Sequence, residues 1–331
     1  MSLPPILRDR LRLPLIGAPL FLISNPALVI AQCQAGVVGA FPSLNARPIA
    51  QLEEWLARIR SELDAWDAAH PNEPAAPFAV NLIVHKTNDR LAQDLELCVK
   101  HRVPIVITSL GARPEVNQAI HSYGGITLHD IIDNTFARKA IEKGADGLIP
   151  VAAGAGGHAG KQSPFALVQE IREWFDGPIA LSGAIASGAS ILGAQAIGAD
   201  LAYMGSAFIA THEANASQQY KDAIVGSTAA DIVYTNLFTG VLGNYLRSSI
   251  SAAGLDPDNL PQGDPTKMNF GSGGDTGAKV WRDIWGCGQG IGALKEVVSA
   301  ARLIDRLERE YRDAQDSLQK KFHTARFRNP A

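Results

Sequence analysis

Cysteine is scarce in this chain: Cys33, Cys98 and Cys287 are widely separated, and no two of them form a CxxC pair. That scarcity argues against a disulfide framework and against a structural zinc site, and it suits a reducing cytoplasm. Excess charge is lacking too. Lys and Arg number 30 against 33 Asp and Glu, a formal net charge of -3, so no basic field exists to hold nucleic acid or an anionic membrane surface. No run approaches the roughly 18 apolar residues of a membrane span. The first twelve residues interrupt their apolar positions with Arg8, Arg10 and Arg12, and so offer no continuous signal-peptide core. The expectation is a soluble cytoplasmic protein with neither a nucleic-acid nor a membrane partner.

Apolar residues are plentiful: 46% of the 331 positions are hydrophobic, enough for a large core. Short apolar runs bounded by Gly, Pro or charge predict strands at 15–18, 36–40, 78–82, 104–109, 125–129, 147–152, 178–182 and 200–204. Helical patterns fall between them, at 26–34, 48–69, 89–101, 114–122, 135–143, 164–175 and 189–197. The strands lack polar alternation, so both faces are buried and the sheet is parallel and helix-covered. Eight such units favour an α/β fold of the closed TIM (β/α)8 barrel type over an open doubly wound sheet.

The alternation stops after Met204-Gly205-Ser206. The predicted organisation is a barrel over 1–212, a smaller helical or irregular insertion or lid over 213–285, and a return to the barrel with a C-terminal helix over 286–331. That last helix is predicted over 294–322, and the Gly/Pro/Asp/Asn-rich stretch 254–277 is too long for an ordinary loop.

One segment carries chemistry more plainly than the rest. Gly154-Ala155-Gly156-Gly157-His158-Ala159-Gly160 follows the predicted strand at 147–152 and sets a single imidazole among residues with almost no side chains. Glycines at a strand exit let backbone approach a ligand, and histidine exchanges protons near neutral pH. The other histidines sit in helical or loop settings without such a frame, except His129, which closes the predicted fifth strand beside Asp130.

Barrel chemistry gathers at the carboxyl ends of strands, with phosphate often bound after the seventh and eighth. Ser182-Gly183-Ala184 and Met204-Gly205-Ser206 hold those places and combine Gly with a hydroxyl ahead of a helix, the composition of an anion cradle. Ala18-Pro19-Leu20 makes a small-residue turn after the first strand, against which a flat ring could lie. Asn81 places an amide on the third strand, able to donate and accept toward a heteroaromatic edge. Gly288-Gln289-Gly290 either returns the chain to the barrel mouth or acts as a linker. Tyr220, Tyr234, Phe238, Tyr245 and Trp281 are aromatic candidates for a substrate wall, with core packing the simpler role for most of them.

Two other readings of the glycine-rich segment are weaker. It satisfies GxGxxA, but so does the stretch beginning at Gly288, and the next strand ends Ala180-Leu181-Ser182-Gly183 without the acid that a dinucleotide ribose needs. No HxxxH, HxH or His/Cys cluster accompanies His158, so no metal site is predicted.

At Ala18-Pro19, Val80-Asn81-Leu82, Ala155-Gly156-Gly157-His158, Gly183-Ala184-Ile185, Met204-Gly205-Ser206 and Gly288-Gln289-Gly290 the chain resembles the nitronate monooxygenase family. That family, formerly called 2-nitropropane dioxygenases, also includes FMN-dependent enoyl reductases and NADH:quinone reductases. The resemblance implies a barrel binding FMN, with the phosphate at Gly183-Ala184 and Gly205-Ser206 and His158 close to the ring. It also implies cofactor contacts at Ala18, Pro19, Leu20, Asn81, Asp130, Ala155, Gly156, Gly157, Ser182, Met204 and Gln289. The implied reaction is oxidation of a small-molecule nitronate by dioxygen, with His158 as the catalytic residue. An NAD(P)H-dependent quinone or enoyl reductase, and a non-redox barrel binding a phosphometabolite or carrying flavin, are the alternatives. Oligomeric state stays open, a homodimer being compatible. The chain departs from the family where Leu20 stands in place of Met, where Val151 to Gly154 lack the usual acids, and where Asp130 stands in place of Lys.

Overall fold

The computed structural model describes residues 3–263 and 282–324. Strands β1 (Leu15–Gly17), β2 (Gly39–Pro42), β3 (Phe78–Ile83), β4 (Ile105–Ser109), β5 (Ile126–Ile131), β6 (Gly147–Pro150), β8 (Ala180–Ser182) and β9 (Leu201–Met204) are all parallel to their neighbours. The five-stranded run β2 to β6 and the three-stranded run β8-β9-β1 join through the bridges Ile16↔Val38, Leu148↔Ile179 and Val151↔Ser182. The ring thereby closes into the expected barrel. Each predicted strand of the first 204 residues lies within three residues of an observed one.

Strand periodicity explains how the barrel fills. Ile16, Val38, Ala79, Ile105, Ile107, Leu128, Ile149, Ala180 and Leu201 point inward and form one buried cluster. Their neighbours Phe78, Val80 and Val106 point outward and pack against the helices, as a two-residue repeat requires.

The helices α1 (Pro26–Gln34), α2 (Ile49–Ala69), α3 (Leu91–Lys100), α4 (Pro114–His121), α5 (Asn134–Glu142), α6 (Pro164–Arg172) and α7 (Gly188–Ala196) cover the outside. Local chemistry sets their starts. Asn25 and Asp133 cap α1 and α5 by accepting from Leu28 N and Phe136 N, and Ser187 and Ser190 form a reciprocal capping box on α7. The last helix, α11 (Ala300–Thr324), begins six residues later than predicted, because Gln289–Ala293 is a 3-10 turn and Val298 bridges to Thr211. It crosses α7 so closely that a Cβ at Gly188 would lie 2.2 Å from Leu307 O and Tyr311 N.

After β9 come α8 (Ser206–Ile209), α9 (Gln218–Val225), β10 (Ile232–Thr235), β11 (Gly243–Leu246) and α10 (Arg247–Ala252). Besides the helices expected in this segment there is a strand pair that was not expected. β10 and β11 form an antiparallel hairpin, and β11 also pairs with the short strand β7 (Gly157–His158). The β-branched and aromatic run Ile232-Val233-Tyr234-Thr235 was the available strand signal. Residues 264–281, which include part of the glycine-rich stretch and Trp281, lie outside the described residues. No described helix is long and apolar enough to cross a membrane.

Candidate active site

The carboxyl ends of the strands open into a cavity of about 1010 Å³. The turn Ala18-Pro19-Leu20 lines it from β1, Asn81 from β3 and Asp130 from β5. Ala155, Gly156, Gly157 and His158 line it from the loop after β6. Ser182, Gly183, Ala184, Gly205 and Ser206 line it from the exits of β8 and β9. Residues scattered over almost 190 positions thus face one space, because most of them stand at or just past the carboxyl end of a barrel strand.

Two expected contacts fall elsewhere. Met204 is fully buried among Leu13, Leu15, Phe208 and other residues packed between barrel and helices. Strand alternation turns it outward and brings its neighbour Tyr203 to the cavity instead. Gln289 is exposed and is not part of the lining. Its backbone N–H donates to Gly154 O at 2.9 Å, while Gly288 and Gly290 face the cavity. The 288–290 segment therefore does return the chain to the barrel mouth.

His158 also sits differently from its expected place at the end of the sixth strand. β6 ends at Pro150, and His158 lies in β7, opposite Gly243 of the hairpin. Further bonds clamp this loop to the hairpin: Asn244 Nδ2 donates to Ala155 O at 2.6 Å, Tyr234 Oη donates to Ala159 O at 2.8 Å, and Ala159 N donates to Leu242 O. Strand pairing thus holds a histidine that looked unsupported in sequence. At Gly156 the close neighbour is the chain itself, since a Cβ there would lie 2.7 Å from Gly288 N. The loop glycine thus serves loop packing as well as lining the cavity.

The imidazole lies 2.9 Å from Thr239 Oγ1. Thr239 Oγ1 also lies 3.1 Å from Val241 O and 3.3 Å from Val241 N, so the turn after β10 fixes the hydroxyl beside the ring. Burial pushes the His158 pKa down to about 4, leaving the ring neutral near pH 7.

A second polar group lies inside the barrel top. Asn81 Nδ2 donates to Ser109 Oγ at 2.7 Å, and Ser109 Oγ donates to Asp130 Oδ2 at 2.5 Å. Burial pushes Asp130 up to about 7 against this one hydrogen bond. Ser109 went unnoticed in sequence, although the two-residue repeat from Ile105 and Ile107 places it on the inward face. His129, beside Asp130, points instead to Thr108 Oγ1 at 2.6 Å, and burial and then Lys143 lower its pKa to about 4.

Ala184 is a non-glycine residue at φ 54, a conformation that costs on the order of 1–3 kcal/mol and that clusters at functional sites. Among the aromatic candidates, Tyr245 is buried and packs edge-on against Phe238, and Tyr220 stacks on Trp285, so these serve the core. Tyr220 and Tyr234 also reach the cavity lining. Arg47 and Lys161, not singled out in sequence, add cationic side chains to the wall.

A closed parallel (β/α)8 barrel whose mouth cavity holds a buried carboxyl group and a hairpin-clamped imidazole has the architecture of an α/β-barrel enzyme. The nitronate monooxygenase family model matches residues 10–310, and the chain belongs to that family of oxidoreductases. It is similar to the nitronate monooxygenase of Paraburkholderia phytofirmans, 28% identical over 346 aligned positions that cover 92% of this chain and 94% of the relative. The solved structure of nitroalkane oxidase from Streptomyces ansochromogenes matches with a TM-score of 0.76 at 24% identity, over 94% of this chain and 99% of that one. FabK from Thermotoga maritima matches with a TM-score of 0.76 at 20% identity, over 97% and 100% of the two chains. These two structures share the fold.

Proposed function

We propose that the chain is an FMN-dependent nitronate monooxygenase that oxidises alkyl nitronates with dioxygen. The observation that carries this reading is the half-buried imidazole of His158, hydrogen-bonded with Thr239 in the wall of the barrel-mouth cavity of a nitronate monooxygenase family member.

The residues present suit a flavin. Asp130 Oδ1 is buried without a hydrogen-bond partner and lies in the lining, so it offers an unused polar atom to a heteroaromatic edge. Ala18, Pro19 and Leu20 would lie along the ring. Gly205 keeps that wall flush, since a Cβ there would come within 3.3 Å of Leu20 Cδ2. Gly183-Ala184 and Gly205-Ser206 leave adjacent strands and would hold the phosphate together. Bound FMN would take electrons from the substrate and pass them to dioxygen, while the protein supplies position and electrostatics.

His158 then has a definite task. Its neutral form can take the α-proton of a neutral nitroalkane, and its protonated form can pair with the anionic nitronate. An arriving nitronate favours protonation of the ring, because an adjacent negative charge raises a histidine pKa.

The test is to mix anaerobic flavin-loaded enzyme separately with an alkyl nitronate, NADH and NADPH. Rapid bleaching by the nitronate, followed by recovery with dioxygen, is expected. Bleaching by a nicotinamide alone would reassign the chain as a quinone or enoyl reductase. A protein that takes up no FMN would point to a non-redox barrel.

A further inference from the structure

We propose that Asp130 meets the flavin as a carboxylic acid, with Oδ1 presenting a proton to an acceptor atom on the ring, so that FMN binding takes up a proton above neutral pH. The inference rests on the FMN reading above.

The geometry supplies the argument. Asn81 commits Nδ2 to Ile107 O at 3.1 Å and to Ser109 Oγ, and Ser109 commits its only proton to Asp130 Oδ2. The array runs one way, from Asn81 through Ser109, and delivers a single hydrogen bond to the carboxyl group. Oδ1 receives none, though it is buried in the cavity wall. A carboxylate kept charged in such a place needs two or three donors or a neighbouring cation.

Among the described residues, no cation pairs with the carboxyl group. Ser109 and Asn81 face Asp130 from β4 and β3, and Tyr203, whose phenol burial holds protonated, does so from β9. β6 contains only Gly147, Leu148, Ile149 and Pro150. The titratable groups of α4 (Glu115, His121) and α5 (Arg138, Lys139, Glu142) lie on the outer side of the sheet, the side to which β5 turns His129. His158 is neutral, and Arg47 and Lys161 belong to loops of the cavity wall. Burial accordingly pushes the carboxyl up to about 7.

An isoalloxazine ring offers several carbonyl and ring-nitrogen acceptors but one ring N–H donor. A protonated carboxyl serves the acceptors and a carboxylate cannot. Seating the ring also excludes water from Asp130, which favours the uncharged form further. Where the family carries a Lys, this chain would present a donor without a charge.

The experiment is calorimetric titration of the flavin-stripped full chain with FMN at pH 8.5, in two buffers of different ionisation enthalpy, alongside Asp130→Asn. The wild type is expected to take up close to one proton more per FMN than the variant. Across pH 7 to 9 its FMN Kd should weaken by about tenfold per unit relative to Asp130→Asn. Comparison with the variant cancels the ionisation of the FMN phosphate itself, which falls near pH 6. Equal proton uptake by the two proteins would overturn the proposal. So would wild-type affinity that rises with pH relative to the variant, the signature of a carboxylate accepting from the ring N–H. Failure of FMN to bind either protein at any pH would reject the cofactor reading, and this inference with it.

Discussion

His158 Nε2 and Thr239 Oγ1 lie 2.9 Å apart although 81 residues separate them in the chain. The hairpin β10-β11 makes this contact, because β11 pairs with β7 and brings the preceding turn, with Thr239, over the imidazole. The residue that orients the base therefore comes from outside the eight-strand repeat.

His158→Ala should keep bound FMN yet slow anaerobic flavin reduction by a neutral nitroalkane by about 10² to 10⁴, the usual worth of a positioned proton acceptor. Thr239→Val should slow it by less, and adding Thr239→Val to His158→Ala should cost nothing more, since the two act through one imidazole. Stopped-flow reduction of the three variants checks this. Undiminished rates in His158→Ala would remove His158 from the catalytic machinery.

Asn244 is buried, and its amide holds Ala155 O at 2.6 Å. Asn244→Ala strands that carbonyl and is expected to cost about 1–3 kcal/mol of folding stability. The urea midpoint reads the loss, and a midpoint equal to wild type would mean that the loop does not depend on the hairpin.

Gly188→Ala should destabilise the chain by about 1–3 kcal/mol or more, because its Cβ would meet the backbone of α11 at 2.2 Å and the two helices would have to separate. Gly193→Ala, on the same helix with nothing within 4 Å, should instead gain roughly 0.5–1 kcal/mol from helix propensity. Thermal melting of the pair distinguishes crowding from propensity.

Stability without flavin should depend on pH in two opposed ways. Asp130 rises from 3.8 to about 7 on folding, so its contribution is fully present below pH 3.8 and is lost as pH rises toward 7. His158 and His129 fall from 6.5 to about 4, so their contribution is present above pH 6.5 and is lost as pH falls through 4. Asp130→Asn removes the first effect alone. Its stability relative to wild type should climb by on the order of 3 kcal/mol between pH 4 and 7 and then level off. Urea titrations of both proteins at several pH values check the slope, and parallel profiles would mean that Asp130 ionises normally.

The barrel was legible because its signal is local. Runs such as Pro104 to Ser109 are apolar on both faces, and turn or capping residues mark the helix ends, so each unit announces itself within about ten residues. Leu20, Asn81, Asp130 and Gly183 could be placed at the mouth on that basis, since a strand's carboxyl end follows from its length. Met204 was misplaced because its direction depends on strand phase, which one residue inverts, and Tyr203 took its place. Gln289 stays outside the lining because its backbone N–H and its amide oxygen both lie against Gly154.

By itself, then, the sequence determined the eightfold alternation, the single imidazole in the loop after the sixth strand and the carboxyl group on the fifth. These follow from hydrophobic period and residue type, which are properties of short stretches. Only the tertiary structure decided the state of those groups. Thr239 and Asn244 reach back over more than 80 residues to hold the loop, and burial leaves His158 uncharged and brings Asp130 to the edge of neutrality. Proton affinity depends on which distant atoms surround a group and how completely they exclude water, and that is a property of the closed barrel.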